Sequence, residues 1–291
     1  MFNSINQLTE RALSEGISLS EVMIRQEMEA TGQSYLDIYN LMKTNLMTME
    51  GAVTEGLAGV NSTTGLTGMD AVKMQKYIES GKGLSGDLNL MAIAYAVSTN
   101  EVNAAMGKIC ATPTAGSAGV VPGVLFAMVK KDPSITEEQK IRFLFTSGAF
   151  GFVVANNASI SGAAGGCQAE IGSASAMAAA ALVELAGGTP DMSAHAFAIA
   201  MKNMLGLVCD PVAGLVEVPC VKRNAAGATN ALTAADMALA GIESRIPADE
   251  VIEAMYKIGL TMPSALRETG RGGLAATPTG ERLKAELFGA K

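Results

Sequence analysis

The sequence is poor in charge and in aromatic side chains: of 291 residues, 17% are charged and 4% aromatic, with no tryptophan and a single histidine, His195. A soluble domain ordinarily carries about 25% charged residues. The apolar excess, 49% of the chain, therefore has to be buried in a thick core or against a partner. The net charge of -7 arises without a basic tract or interleaved aromatics, which excludes the electrostatic footprint of a nucleic-acid or anionic-membrane binder. The chain does not open on a basic start followed by an apolar core; residues 1–30 mix Glu, Arg and Gln through a helical pattern, so a cytoplasmic protein is expected. Two stretches, 109–129 and 143–169, contain no charge at all. They are not expected to span a membrane, because the first holds Pro113 and Pro122 and the second Asn156, Asn157, Ser159 and Ser161, all costly in hydrocarbon.

Alternating strand patterns are also missing, and what remains reads as helix. Leu36, Tyr39, Met42, Leu46, Met49 and Val53 recur at three- and four-residue steps, lining one face of a 3.6-residue helix. Ser34 with Asp37 predicts a capping-box start for it, and Ser134 with Glu137 predicts a second. The Gly/Thr-rich stretch 61–68 breaks the pattern and is expected to be a loop or subdomain joint. Residues 173–185 are dominated by alanine and closed by Gly187 and Gly188, after which Thr189 and Pro190 restart a helix at N-cap and N1. Small side chains permit close backbone approach, so this helix pair is expected deep in the molecule. Another Ala-rich run, 224–239, precedes an amphipathic helix begun at Pro247. The eighteen methionines suit adaptable helix packing. The expected fold is mainly α, one compact multi-helix domain over 1–291.

Four cysteines, Cys110, Cys167, Cys209 and Cys220, in an acidic chain with no secretory signal argue against a disulfide framework. The last three are separated by 41 and 10 residues, which is not CxxC spacing. All three fall at predicted helix ends or loops, and Cys167 and Cys220 sit at helix N-termini, where unpaired N–H groups and the helix dipole favour an anionic metal–thiolate centre. Plain core packing, a zinc ion with an open fourth position and an iron–sulfur centre all fit this pattern, and spacing alone does not decide among them.

The stretches SGAAGGCQAEIGSASAMAAA (161–180) and KNMLGLVCDPVAGLVEVPCVKRNA (202–225), together with ICATPTAGSAGVVPG (109–123) and NASISGA (157–163), resemble the motifs of iron–sulfur-dependent L-serine dehydratases. The likeness extends over essentially the whole chain and matches the separately encoded α subunit. It implies a lyase that turns L-serine into pyruvate and ammonia, with Cys167, Cys209 and Cys220 holding a 4Fe-4S cluster at helix ends and loops. One iron stays open to act as a Lewis acid on serine, whose hydroxide is a poor leaving group and whose α-C–H is weakly acidic. Pyridoxal phosphate, the other cofactor used for this elimination, is not expected, and Cys110 is expected outside the ligand set.

The same resemblance tilts Thr114, Gly116, Ser117, Asn157, Ser159 and Ser161 toward substrate binding, although turn hydroxyls often only bond local backbone. Lys222 and Arg223 directly follow the third cysteine and are expected to neutralise the cluster or hold the substrate carboxylate, since cations at a helix N-terminus otherwise oppose the dipole. Arg267 and Arg271 are weaker candidates for that task. His195 lies in an apolar helix and reads as a packed residue, so the general base is expected from elsewhere. Relatives made as one chain carry an additional domain, which implies a heteromer in which a β subunit supplies the missing part. Two alternatives stay open here, L-cysteine desulfidation on a related cluster and a non-catalytic helical subunit with structural cysteines.

Overall fold

The computed structural model describes residues 1–289; positions 290 and 291, which the single-domain reading includes, lie outside the described residues. Thirteen α-helices follow one another: α1 (Ile5–Glu15), α2 (Leu19–Thr31), α3 (Tyr35–Ala58), α4 (Asp70–Glu79), α5 (Asp87–Ala104), α6 (Val120–Lys131), α7 (Glu137–Asn157), α8 (Gly162–Gly165), α9 (Ser173–Leu185), α10 (Pro190–Asn203), α11 (Cys220–Leu239), α12 (Ala248–Thr261) and α13 (Pro278–Phe288). No strand is formed among the described residues, only two isolated bridges, Asn61 with Gly68 and Cys209 with Arg267. The mainly helical expectation is met. Among the described residues no helix is long and apolar enough to cross a membrane.

Helix α9 forms the axis of the molecule. Every residue from Ser173 to Val183 is buried, and α6, α7, α10 and α11 pack around it. Its alanines let these neighbours approach closely, as the sequence anticipated. The buried Ser175 of α9 is paired: its Oγ donates to the Gly227 carbonyl (2.8 Å) and accepts from Asn230 Nδ2 (2.8 Å), joining α9 to α11. Phe150 of α7 stacks on Phe197 of α10 with ring centroids 5.2 Å apart. Phe197 is completely buried. Replacing Phe197 with alanine is expected to cost about 3–5 kcal/mol, read as a lowered urea midpoint; a loss below about 1 kcal/mol would mean that the core closes over the gap. The main apolar core runs from Phe2, just before α1, to Met255 in α12, with a small second cluster of Ala71, Val97 and Val221.

In a chain with so few charges, carboxylates are used where helix N-termini need acceptors. Asp249 of α12 accepts from the backbone N–H groups of Ile5 and Asn6 (2.8 and 3.0 Å) at the start of α1. Glu184 at the end of α9 accepts from Leu19 N–H (2.7 Å) at the start of α2. The fully buried Glu101 of α5 accepts from Asp70 and Ala71 N–H (2.8 and 3.1 Å) at the start of α4. The loop 61–68 is tied to the chain that carries Cys220: Thr64 Oγ1 donates to Glu217 (2.8 Å), and Lys222 pairs with Asp70 at 2.6 Å.

The Ser34/Asp37 capping box opens α3 as expected. The second expected box does not form. Ser134 Oγ is taken by Asp132 (2.6 Å), and α7 is capped by Thr136, which accepts from Gln139 N–H (3.3 Å) while Gln139 accepts from Thr136 N–H (2.8 Å). Thr189 caps α10 with Pro190 at N1, whereas Pro247 serves as the N-cap of α12 and not as its first residue.

Candidate metal centre

The site is made where the N-terminal approach to α9, the loop after α10 and the start of α11 meet. Cys167 follows Gly166, whose φ of +77° is in the region that favours glycine, and whose Cβ would lie 2.9 Å from the Leu207 carbonyl oxygen. From Cys167 the chain enters a π-helical turn, Gln168–Gly172, before α9 proper; such turns are rare and concentrate at functional sites. Gln168 is the fastener. Its backbone N–H donates to the Leu207 carbonyl (2.9 Å), its Nε2 to the carbonyls of Gly165 (2.9 Å) and Met255 (3.0 Å), and its Oε1 accepts from Gly206 N–H (2.9 Å). This one buried side chain fixes the Cys167 segment against the Cys209 segment.

The Cys209 backbone is held at both ends: its N–H donates to the Leu266 carbonyl (2.9 Å) and its carbonyl accepts from Glu268 N–H (2.7 Å). Glu268 carries a φ of +62°, a left-handed conformation that non-glycine residues rarely adopt. Cys220 is the first residue of α11. All three cysteines are buried. The Sγ atoms of Cys167 and Cys209 and a carboxylate oxygen of Glu170 lie within 4.8 Å of one another. Gly162 passes over this group so closely that a Cβ there would lie 3.0 Å from Cys209 Sγ and 2.5 Å from Glu170 Oε2.

The charges interact accordingly. A hydrogen bond from the Cys209 thiol pulls Cys167 below the ordinary thiol range, with help from the nearby Arg223 guanidinium. Cys209 is pushed up because Cys167 holds its proton, and burial adds to this. Cys220 is pushed up to about 12, first by burial and then by the charges of Cys167 and Glu170, which places its thiol within electrostatic reach of the pair. Cys110 is half-buried and burial alone raises its thiol, with no contribution from the other cysteines. A donor set of two converging thiols and one carboxylate, with a guanidinium nearby to balance charge, suits zinc, iron or an iron–sulfur centre.

The other residues singled out from the sequence divide. Thr114 reaches the group, its Oγ1 donating to Glu170 Oε1 at 2.6 Å, and Gly116 abuts the same carboxylate, where a Cβ would sit 3.2 Å from Oε1. Ser117 is fully buried and donates to the Thr112 carbonyl (3.0 Å), closing the turn. Ser161 caps α8 by accepting from Ala163 N–H (3.2 Å), and Ser159 Oγ accepts from Ser161 N–H (3.1 Å). Asn157 turns away, donating to the carbonyls of Asn3 (2.8 Å) and Val153 (2.9 Å). Lys222 is exposed and paired to Asp70. Arg223 is mostly buried, paired with Asp210 at 2.8 Å and donating to the Val208 carbonyl at 2.7 Å. Burial works against its charge, but Cys167 and Asp210 hold it on.

Sequence reasoning missed Glu170, Asp210 and Glu268. For Glu170 a signal was present: it is the only charged residue between Arg142 and Glu184. Asp210 and Glu268 carry no such mark, since their positions depend on a backbone bridge between segments 58 residues apart in sequence.

The order of these elements along the chain, from the Thr114 turn through the three cysteines to the bridge at Arg267, falls inside a stretch that matches known proteins. Residues 14–275 match the model of a protein family described as "Serine dehydratase alpha chain". The chain is 71% identical over 289 residues to a "Probable L-serine dehydratase, alpha chain" of Bacillus subtilis (strain 168), covering 99% of this chain and 96% of that protein. It is 43% identical over 290 residues to the "L-serine dehydratase, alpha chain" of Peptoniphilus asaccharolyticus, covering 99% of each. "L-serine dehydratase 1" of Escherichia coli (strain K12) is 38% identical over 280 residues, 94% of this chain but 61% of that longer protein. With its cysteine-bearing segments and its Thr114 turn all inside the matched region, this chain belongs to the serine dehydratase alpha chain family.

Proposed function

We propose that the protein is the catalytic α subunit of an L-serine ammonia-lyase, forming pyruvate and ammonia, with a 4Fe-4S cluster held by Cys167, Cys209 and Cys220. The observation that carries this reading is the meeting of Cys167 and Cys209 with Glu170 inside 4.8 Å, in a chain 71% identical to a protein named as an L-serine dehydratase α chain. The residues fit such a group. Two buried thiols, Cys167 and Cys209, meet beside Glu170, the buried Cys220 opens α11 where its N-terminal N–H groups lie, and Arg223 supplies a cation to compensate thiolate charge. When bound, the cluster supplies a Lewis acid that makes the β-hydroxyl of serine a better leaving group.

The chain's own residues do the rest of the positioning. Arg223 is fixed by Asp210 and the Val208 carbonyl, so it serves the thiolates and is not free to swing to a substrate. Thr114 and Gly116 present a hydroxyl and an open backbone face beside Glu170, while Gly162 leaves room over Cys209. The buried walls around the thiols exclude water. In our reading the described residues act as a single catalytic domain, since one large core joins residues from Phe2 to Met255. The longer Escherichia coli relative leaves part of its length unmatched by this chain; in our reading a separate β subunit supplies the corresponding part, and with it the general base.

Iron and acid-labile sulfide analysis after anaerobic purification tests the cofactor, and parallel assays with L-serine and L-cysteine test the substrate. About four irons per chain and turnover of serine over cysteine are expected. Activity is expected to decay in air and to return with ferrous iron and a reductant, because an iron without a protein thiolate is the one most easily lost. Full activity after prolonged exposure to air and chelator, or a colourless active protein, would overturn the proposal.

A further inference from the structure

Buried carboxylates in this protein have visible uses, with one exception. Glu101 caps α4, Asp210 pairs with Arg223, and both oxygens of Glu217 take the Thr64 hydroxyl. Glu170 caps no helix, and among the described residues no Lys or Arg lies within ion-pair distance of it. It is 8% exposed. Its Oε1 accepts the Thr114 hydroxyl at 2.6 Å, whereas Oε2 has only the Cys209 thiol, at 3.8 Å. Two glycines from separate segments, Gly116 in the turn after Thr114 and Gly162 at the start of α8, stand against it where any larger residue would fill the space beside its oxygens. A carboxylate held in place, cleared on two sides and left without a cation is arranged for a cation that arrives from outside.

The substrate read above brings such a cation. An α-amino acid carries a carboxylate, a β-hydroxyl and an ammonium group, and the ammonium needs a negatively charged acceptor when water is removed. We propose that Glu170 is the residue that receives the substrate's ammonium group, with Thr114 locking the orientation of its carboxylate and Gly116 and Gly162 keeping the approach open. The assignment rests on the serine dehydratase reading and makes Glu170 a specificity-determining residue: it selects amino acids over hydroxy acids of the same shape and takes no part in proton transfer.

The test uses the cluster-loaded chain with its β subunit under anaerobic conditions, with L-serine as substrate and L-glycerate, in which a hydroxyl replaces the ammonium, as competing ligand. For Glu170→Gln the KM for serine is expected to rise at least tenfold, with kcat falling far less. Inhibition by glycerate should stay within about threefold of its wild-type value, and the visible absorption of the cluster per chain should be unchanged. Glu170→Asp keeps the charge at a shorter reach and is expected to lie between the two. An unchanged serine KM in Glu170→Gln, equal weakening of serine and glycerate, or loss of cluster absorption in both variants would overturn the assignment. Absence of serine turnover by the wild-type complex would instead sink the functional reading on which it rests.

Discussion

Serine in place of Cys167, Cys209 or Cys220 is expected to remove the visible absorption of the cluster and to abolish turnover, whereas Cys110→Ser keeps both. The loss should exceed the about 10–100-fold that follows from changing groups which merely support a metal ligand, because a hydroxyl is a far weaker donor to iron than a thiolate. The geometry distinguishes the three. Cys167 and Cys209 already lie in one tight group with Glu170, while Cys220 feels the charges of Cys167 and Glu170 through space. All three thiols are protected from solvent, so the variants should fold, and circular dichroism should show unchanged helix content. If Cys220→Ser retained a full complement of iron and sulfide while the other two lost it, the cluster would be held by a different set, with Glu170 the first alternative. If Cys110→Ser lost the cluster, the separation of that thiol from the site would be wrong.

The second large effect concerns completeness. The cluster-loaded chain alone is expected to turn over serine at about 1% of the reconstituted rate or less, since a missing general base costs about 10²–10⁴-fold. His195 does not fill that role. It lies on α10, its Nδ1 accepting Ser244 N–H at 3.2 Å, beside a cleft lined by Ile5, Asp191 and Asp249 that contains none of the cysteines. His195→Gln is therefore expected to leave the rate of the α/β mixture within about twofold. Reconstitution with purified β subunit checks both statements: a chain that reaches the mixture's rate unaided, or a His195→Gln variant that is folded, loaded and inactive, would show that the base resides here.

Much of this was legible in the sequence. Alanine in 173–185 dictated a buried helix because only small side chains allow neighbours so close, and Thr189-Pro190 marked the next start because a capping hydroxyl and a residue without an N–H are what a helix N-terminus accepts. The helix start at Thr136 was misread by two residues, since Ser134 and Thr136 are equally good caps and only Asp132 decides between them. The convergence of Cys167 with Cys209 was carried by resemblance, and 41 intervening residues of helix and turn leave no periodic trace. Asn157 and Lys222 sat in the right motifs yet point to Asn3 and Asp70, because a position in a motif fixes the backbone and leaves the direction of the side chain to its neighbours.

Asp210 also orders events in time. Its carboxylate takes Arg223 on one oxygen and Leu274 N–H on the other at 2.7 Å, and Gly273 packs against it. The guanidinium that serves the thiolates is thus braced by a residue whose own second acceptor is satisfied only by chain made 64 positions later. On the ribosome the cysteines emerge well before Leu274, and until it follows, Arg223 is held by a carboxylate with an unmet oxygen. Closure of so long a loop is a late step in any folding order. The protein walls of the metal centre are therefore finished only after Leu274 has been made, and a chain cut short before Gly273 would carry all four cysteines with its arginine unbraced.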